Sequence, residues 1–243
     1  MTAAPSSQAP VALVTGAAKR IGAAIATQLH HMGFRVMVHC LHATEVASTL
    51  VGQFNQARSN SADHLVADLR DQKAAQDLIV TTVATFGQLD LLVNNASIFS
   101  RRDEDWDDMF ACNTRAPYLM SLAAFPHLTE KQGSIINITD VHAGNPLRDY
   151  AAYSQSKAAL EMQTRALARE FAPKVRVNAV APGAIIWPEG ENGLNTELRA
   201  HIMSKTPLQR HGHPDDIAQA VQYLAGASFV TGQILHVDGG RFL

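Results

Sequence analysis

The sequence is short of cysteine, of charge imbalance and of long apolar runs, and each shortage narrows the class of protein. Two cysteines, Cys40 and Cys112, are too few for the disulfide framework of a small secreted domain. A formal net charge of -2 provides no general attraction for nucleic acid or for an anionic membrane. No apolar run is long enough to cross a bilayer. We therefore expect a small-molecule ligand, with neither nucleic acid nor membrane as a partner.

Metal-binding spacings and a targeting segment are also missing. The eleven histidines include no H-E-x-x-H or comparable spacing, so we predict no metal site. The opening "MTAAPSSQAP" lacks the charged and then apolar regions of a secretory signal. It predicts a flexible leader over residues 1–9 and a cytoplasmic protein.

What the chain does contain is a regular alternation of short apolar runs and longer segments of helical periodicity. A chain of 243 residues, 47% of them hydrophobic, can bury one substantial core, so we predict a single domain over residues 10–243. Strands are expected at 11–16, 34–40, 63–69, 89–96, 133–139, 175–182 and 233–240. Helices are expected at 19–33, 43–58, 72–87, about 106–128, 150–171 and 214–226. This pattern indicates an α/β fold, a Rossmann-type doubly wound parallel sheet of about seven strands with helices on both faces.

An irregular segment over residues 183–212 interrupts the alternation before the last helix. Long connections without regular structure are often functional in compact domains. We expect residues 184–206 to form a substrate loop. Trp187 in this loop is equally compatible with a contact to substrate and with anchoring the loop.

The turn after the first strand contains the first candidate binding motif. Gly16 and Gly22 flank it, and glycines there let the backbone approach a pyrophosphate at the N-terminus of the next helix. Lys19 and Arg20 add positive charge. Ala18 occupies the middle position that is glycine in many dinucleotide sites, so the motif alone is equally compatible with an ordinary tight turn. Its place directly after the first strand favours dinucleotide binding.

The end of the second strand indicates which nicotinamide cofactor binds. NAD sites place an acidic residue there for the ribose 2′-hydroxyl, but here His39 and His42 occupy the region and the first acid is Glu45. NADPH is therefore the predicted cofactor, with Arg20 and His42 as contacts for its 2′-phosphate; exposed histidines without a ligand are the alternative. Asp68 follows the third strand and suits either the adenine amino group or a helix cap.

Tyr153 and Lys157 form the predicted catalytic pair. Residues four apart share a helix face, and a lysine charge there is expected to lower the pKa of the phenol. The pair opens the helix after the fifth strand, near the strand ends where open α/β sheets bind ligands. Three further motifs accompany it: "NNAS" at residues 94–97, Asn113 in the preceding helix and "PG" at residues 182–183.

Together these motifs resemble the short-chain dehydrogenase/reductase family over about residues 10–240. "TGAAKRIG", "NNAS" followed by Phe99, Asp140 thirteen residues before the tyrosine, and "VTGQILHVDGG" resemble the pteridine reductases among them. The "NIT" and "TD" sequences around Thr139 also resemble bacterial dihydromonapterin reductases. The chain departs from the protozoan pteridine reductases at residues 41–43, where Leu-His-Ala replaces His-Arg-Ser.

The resemblance, together with the residue types described above, implies a role for each of the following positions. Catalytic residues would be Asp140, Tyr153, Lys157 and Asn113, the last through a water-linked proton path that includes Lys157. Cofactor-binding residues would be Gly16, Lys19, Arg20, Ile21, Gly22, His39, His42, Asp68, Leu69, Asn94, Ala96, Ser97, Thr139, Tyr153, Lys157, Pro182, Gly183 and Ile185. Substrate-binding residues would be Arg20, Ser97, Phe99, Asp140, Tyr153 and Trp187, with Phe99 covering a pterin ring. Relatives of this kind are usually homotetramers that use NADPH.

Asp140 stands where the wider family usually has serine. A hydroxyl there would stabilise the negative charge that develops on a carbonyl oxygen, whereas a carboxylate would oppose it. A pterin offers a C=N bond for reduction and N–H groups whose hydrogen bonds a carboxylate can accept. We therefore predict NADPH-dependent pterin reduction.

Other interpretations stay open at this point. Asp140 could instead cap a turn, the substrate could be a 3-oxoacyl thioester or a sugar, and the protein could be a non-catalytic NADP-sensing module. Such a module is expected to lose Tyr153 or Lys157, and both are present. The residues do not distinguish biopterin, monapterin and folate, or their oxidation states.

Overall fold

Seven parallel strands form one sheet in the part of the chain that the structure describes. The structure is a computed structural model that describes residues 9–42, 44–187, 193 and 195–243. The strands are β1 (Val11–Val14), β2 (Arg35–Cys40), β3 (Ala62–Val66), β4 (Leu91–Asn94), β5 (Ser134–Ile138), β6 (Arg176–Pro182) and β7 (Ile234–Val237). The predicted number of strands and their parallel pairing are confirmed.

Helices connect the strands and cover both faces of the sheet. They are α1 (Arg20–His31), α2 (Thr44–Ala57), α3 (Gln72–Phe86), α4 (Trp106–Phe110), α5 (Ala116–Lys131), α6 (Ala151–Phe171), α7 (Thr196–Ser204) and α8 (Pro214–Gly226). One apolar core includes side chains of α1, α2 and α8 on one face of the sheet, and another includes side chains of α3, α5 and α6 on the other. The predicted doubly wound α/β fold is therefore confirmed.

The strand order places the ligand-binding edge. The strand order in the sheet is β3-β2-β1-β4-β5-β6-β7. β2 and β3 therefore lie on one side of β1, and β4 to β7 lie on the other, so the order reverses between β1 and β4. Parallel sheets of this kind bind ligands at the carboxyl ends of the strands beside this reversal. The turns after β1 and β4 meet there: the Asn95 side-chain amide donates to the carbonyl oxygens of Thr15 at 2.8 Å and Gly16 at 3.1 Å.

Two segments differ from the sequence prediction. The predicted helix over about 106–128 is divided by a π-helical turn, Ala111–Arg115, which separates α4 from α5. The predicted irregular loop contains a helix, α7, whose first turn is capped by the Asn195 side chain. Residues 188–192 and 194 of that loop, and residues 1–8 of the predicted leader, lie outside the described residues.

No helix among the described residues is long and apolar enough to span a membrane. Within the same ranges, no three His, Cys, Asp or Glu side chains are grouped so that they could hold a metal ion.

Candidate active site

Tyr153 is held in the first turn of α6 with its hydroxyl group directed at Asp140. Its side chain is buried, and its hydroxyl donates a hydrogen bond to Oδ2 of Asp140 at 2.7 Å. Asp140 follows β5, so the pair joins the carboxyl end of a central strand to the start of a helix. This edge of the sheet is where the strand order predicts a ligand.

The two oxygens of Asp140 have different partners. Oδ1 accepts from the backbone N–H of His142 at 2.8 Å and so caps the 3-10 turn Val141–Ala143. Oδ2 accepts from Tyr153. Asp140 therefore caps a turn and also accepts a hydrogen bond from Tyr153, the predicted catalytic tyrosine.

Lys157 lies one helical turn after Tyr153, as their spacing predicts. Its Nζ donates to the carbonyl oxygen of Ile138 at 2.9 Å and lies 5.9 Å from the centre of the Tyr153 ring. The side chain is buried, and this burial lowers the pKa of its ammonium group to about 8. A lysine with this pKa is positively charged at neutral pH but loses its proton readily.

The predicted lowering of the tyrosine pKa is wrong. Burial, followed by the negative charge of Asp140 and the hydrogen bond to it, raises the pKa of Tyr153 well above its ordinary value. Desolvation and a nearby anion both disfavour the phenolate, and here they outweigh the more distant ammonium group. Tyr153 is therefore a neutral hydroxyl that can donate a proton.

Asn113 lies within the π-helical turn and ties the loop after β4 to α6. Its Oδ1 accepts from Ile98 N–H at 2.8 Å, while its Nδ2 donates to the Ile98 carbonyl and to Oγ of Ser156. The wider turn aims this side chain inward, as π-turns often do at functional sites. The water-linked proton path through Asn113 stays a prediction.

Phe99 forms an aromatic wall beside the catalytic tyrosine. Its ring stands edge-on to Tyr153, with ring centres 4.8 Å apart, and is stacked on Tyr150 at 4.5 Å. The side chain is half-buried. The ring of Phe99, a predicted substrate contact, thus packs against the ring of Tyr153.

A cavity of about 460 Å³ lies at the carboxyl ends of β1 to β4. Ten residues predicted to bind the cofactor line it: Gly16, Lys19, Arg20, Ile21, Gly22, His39, Asp68, Leu69, Ala96 and Ser97. Six more were not predicted: Leu41, Ala67, Arg70, Asn95, Ile98 and Cys112. Most of these six adjoin a predicted residue. Leu41, Ala67 and Asn95 directly follow β2, β3 and β4, so their place at a strand end could have identified them from the sequence.

The turn at the mouth of this cavity fits a dinucleotide. Gly16 has φ +62, a conformation that favours glycine. A Cβ on Gly22 would lie 2.2 Å from the Gly16 carbonyl oxygen, so only glycine lets the helix start against this turn. The exposed cations of Lys19 and Arg20 stand beside the helix N-terminus, which suits a pyrophosphate.

Known proteins match this arrangement along almost the whole chain. Residues 16–241 match the family model described as Enoyl-(Acyl carrier protein) reductase. The chain belongs to the short-chain dehydrogenase/reductase family. It is 36% identical to a Streptomyces violaceoruber protein that carries the name of a granaticin polyketide synthase ketoacyl reductase, over 97% of each chain. It is 35% identical to the 3-oxoacyl-(acyl-carrier-protein) reductase FabG of Staphylococcus aureus, over 96% of this chain and 98% of that one. Versicolorin reductase 1 of Aspergillus parasiticus is 36% identical, over 96% of each.

Membership of the short-chain dehydrogenase/reductase family makes this chain an oxidoreductase that uses a nicotinamide cofactor. The names of the relatives match the alternative substrate class, a 3-oxoacyl thioester, better than they match a pterin. The resemblance to pteridine reductases is not shown by these comparisons.

Three predicted cofactor residues also have hydrogen-bond partners within the protein. The Asp68 carboxylate is bonded to the guanidinium of Arg70 at 2.7 Å, and Asp71, not Asp68, caps α3. Asn94 is buried and donates to Asn137 at 2.8 Å. Its neighbour Asn95, and not Asn94, is bonded to the turn after β1. The contacts of Asn94 and Asn95 join segments that are distant in sequence, which the spacing along the chain does not reveal.

His39 is the third of these residues. It lines the cavity, yet its side chain is buried and both ring nitrogens have backbone partners. His39 is a predicted cofactor-binding residue, and its ring is occupied by these backbone contacts. His42, a predicted contact for the 2′-phosphate, is exposed to solvent.

The remaining predicted residues lie on the β5–β6 side of the site. Thr139 is buried at the end of β5 with its hydroxyl donating to Val180 O, and Pro182 ends β6. Gly183 packs so closely on Asp238 that a Cβ would lie 2.7 Å from it. Ile185 is buried and lines a second cavity, of about 450 Å³, beyond β6.

Trp187 is held by its own loop. Its ring lies 4.6 Å from the ring of His211, and the Arg199 guanidinium lies 5.5 Å above it. Its carbonyl oxygen is 3.5 Å from Nη2 of Arg20, which links the loop to the glycine turn. These contacts favour the anchoring interpretation of Trp187 over a direct contact with substrate.

The pH dependence of turnover follows from Lys157. If Tyr153 donates its proton to the substrate, the positive charge of Lys157 would stabilise the negative charge left on the Tyr153 oxygen. The pKa of Lys157 is about 8. We therefore expect kcat/KM to fall as pH rises through about 8. Steady-state rates between roughly pH 6 and pH 10 test this, and a profile that stays flat across the range would contradict it.

Proposed function

We propose that this protein is an NADPH-dependent reductase of pterins, acting on dihydrobiopterin, dihydromonapterin, dihydrofolate or their oxidised forms. The observation that carries the proposal is the 2.7 Å hydrogen bond between the Tyr153 hydroxyl and the Asp140 carboxylate. A carbonyl oxygen that gains negative charge is best stabilised by hydrogen-bond donors. Here the donor is already paired with an anion, which opposes that charge.

A pterin meets the same pair differently. Its ring N–H groups can donate to Asp140, while the ring nitrogen of the reduced C=N bond needs a proton from Tyr153. Bound NADPH would supply the hydride. The raised pKa of Tyr153 keeps the hydroxyl protonated until that nitrogen becomes basic, and Lys157 then stabilises the oxygen that remains.

Phe99 supports a flat substrate. Its half-buried ring is fixed between Tyr150 and Tyr153, so it offers a rigid aromatic surface at the catalytic hydroxyl. Aromatic rings stack well on planar heterocycles, whereas a flexible acyl chain gains less from such a wall.

Reduction of a 3-oxoacyl thioester is the second candidate. The names of the relatives favour it, since two of the three described above refer to ketoacyl or 3-oxoacyl reduction. The Asp140 carboxylate argues against it on the electrostatic ground given above.

One assay distinguishes the candidates. NADPH oxidation is followed with biopterin, dihydrobiopterin, dihydromonapterin, dihydrofolate and acetoacetyl thioester in parallel, at equal enzyme concentration. We expect turnover with at least one pterin and a much lower kcat/KM with the thioester. Turnover of the thioester alone would overturn the proposal in favour of the second candidate, and NADPH binding without any turnover would favour a sensing module.

Cofactor preference is predicted from the exposed residues that follow β2. No acidic side chain is found among the residues that line the cavity there, apart from Asp68, whose carboxylate is neutralised by Arg70. We expect NADPH to bind more tightly than NADH, and His42→Asp to shift the preference towards NADH through repulsion of the 2′-phosphate. Dissociation constants for both cofactors test this; equal affinities in the parent protein would contradict it.

We also propose a homotetramer. The exposed side chains of Met162 on α6 and of Phe229 just after α8 support pairing through α6 and α8. The mass of the protein in solution tests this proposal, and a monomer at micromolar concentration would contradict it.

A further inference from the structure

His39 links the two ends of the cofactor cavity through its ring. Its Nδ1 accepts from the backbone N–H of Gly16, at 3.2 Å, and its Nε2 lies 3.0 Å from the carbonyl oxygen of Ala67. Gly16 begins the turn after β1, and Ala67 follows β3. The backbone of His39 adds a third contact, because its carbonyl oxygen accepts from Ala17 N–H at 2.8 Å.

These partners determine the protonation of the ring. An N–H donor faces Nδ1, so Nδ1 carries no proton, and a carbonyl oxygen faces Nε2, so Nε2 carries one. The ring is therefore neutral with a single tautomer. Burial lowers the pKa of His39, in agreement with a neutral ring. Its charged neighbour Asp68 opposes that shift, and Lys19, Arg20 and Arg70 line the same cavity.

We propose that His39 is a positioning residue that holds the glycine turn against the end of β3, and that it contacts neither the 2′-phosphate nor the ribose hydroxyl. Both of its ring nitrogens are committed to the backbone, so neither is free to bind a ligand. Through the ring, the segment expected to hold the pyrophosphate is fixed relative to the segment that lines the adenine end. Dinucleotide affinity then depends on the ring although the ring does not touch phosphate.

The consequence for cofactor choice differs from that of a phosphate contact. The pyrophosphate and adenine are common to NADPH and NADH, so loss of the ring should weaken both by the same factor. Loss of a 2′-phosphate contact would weaken NADPH alone. The inference rests on the dinucleotide binding proposed above, but not on the pterin substrate.

Two substitutions test the role of the ring. His39→Leu removes both hydrogen bonds and leaves a partly buried Gly16 N–H without its acceptor, so we expect NADPH and NADH affinities each to fall by roughly five- to hundredfold. His39→Asn keeps an oxygen near the Nδ1 position, and we expect it to recover most of the affinity. Affinities are measured as dissociation constants on the full chain without substrate, by NADPH or NADH fluorescence.

His30 provides a matched control. It is also a buried histidine, with Nε2 at 2.8 Å from Oγ of Ser61 and its ring stacked on Phe54, but it does not line the cavity. His30→Leu should lower the melting temperature about as much as His39→Leu without changing either dissociation constant. A merely structural role for His39 predicts that the two variants behave alike.

Three outcomes would overturn the proposal. A loss confined to NADPH would make His39 a phosphate contact, unchanged affinities would remove its role, and equal losses in His39→Leu and His39→Asn would exclude the Gly16 hydrogen bond as the cause. If His39→Leu does not fold, His39→Val takes its place, since a β-branched side chain suits a strand. A failure to reduce pterins would leave these binding results unaffected, so the two proposals fail separately.

Discussion

Tyr153→Phe is expected to reduce turnover by roughly 10²- to 10⁴-fold, the contribution of a positioned acid–base group. The phenylalanine keeps the ring that packs edge-on against Phe99, but it lacks the hydroxyl that faces Asp140. The proton for the substrate then has no donor at this position. Since the hydroxyl lies at the catalytic end and outside the lining of the cofactor cavity, NADPH affinity should stay within a factor of a few.

Single-turnover rates and NADPH dissociation constants test this expectation together. Tyr223→Phe is the control, because it makes the same chemical change at an exposed position on α8 and should leave the rate unchanged. If Tyr153→Phe retained turnover within a few-fold of the parent, the proton would have to come from another group, with Asp140 the first to examine.

Asp140→Ser is expected to exchange one activity for another. Without the carboxylate, the N–H groups of a pterin lose their acceptor, and we expect pterin turnover to fall by about 10²-fold or more. A hydroxyl at this position can donate to a carbonyl oxygen, so any activity on an activated ketone should rise or stay level. NADPH affinity should change little, because Asp140 does not line the cofactor cavity.

The pKa of Tyr153 gives this substitution a second readout. The negative charge and hydrogen bond of Asp140 both raise that pKa. Their removal should therefore move any tyrosine-dependent limb of the rate profile to lower pH.

Asp140→Asn separates the charge from the turn cap. An asparagine oxygen can still accept from the backbone N–H of His142, so the 3-10 turn keeps its cap while the charge is lost. If Asp140 only caps the turn, both variants should reduce pterins at nearly the parent rate with a small loss of stability. Rates on dihydrobiopterin and on one activated ketone decide between these outcomes. Parent-level pterin reduction by both variants would remove the physical reason for preferring pterins to carbonyl substrates.

Much of the fold and part of the site are predictable from the sequence because their signals are local. Apolar runs that alternate with helical periodicity predict parallel strands joined by helices, and the structure confirms this arrangement. The position of "GAAKRIG" after the first strand predicts the phosphate turn, since the turn and the helix start are adjacent in sequence. The helical spacing of Tyr153 and Lys157 likewise predicts their shared face.

The chemistry of the site was decided by contacts between distant segments. Asp140 and Tyr153 come from different elements, and only the packing of α6 beside the end of β5 brings their oxygens to 2.7 Å. The sequence predicted a lowered pKa for Tyr153 from Lys157 alone, whereas burial and Asp140 raise it. Desolvation is a sum over all surrounding atoms, so it has no signature in residue spacing.

The two histidines near the end of β2 show the same difference between what local sequence predicts and what tertiary contacts decide. From residue type, both His39 and His42 are predicted to bind the cofactor. Side chains alternate between the two faces of a strand, so the two histidines would point to opposite faces if the strand continued through residue 42. In the structure β2 ends at Cys40, His39 is buried between Gly16 and Ala67, and His42 is exposed. The sequence determined that a nicotinamide-binding sheet forms and where its ligand edge lies, because those depend on local pattern. Which polar groups face the ligand and which are used by the protein depended on tertiary packing, since a buried donor or acceptor must find a partner wherever the fold provides one.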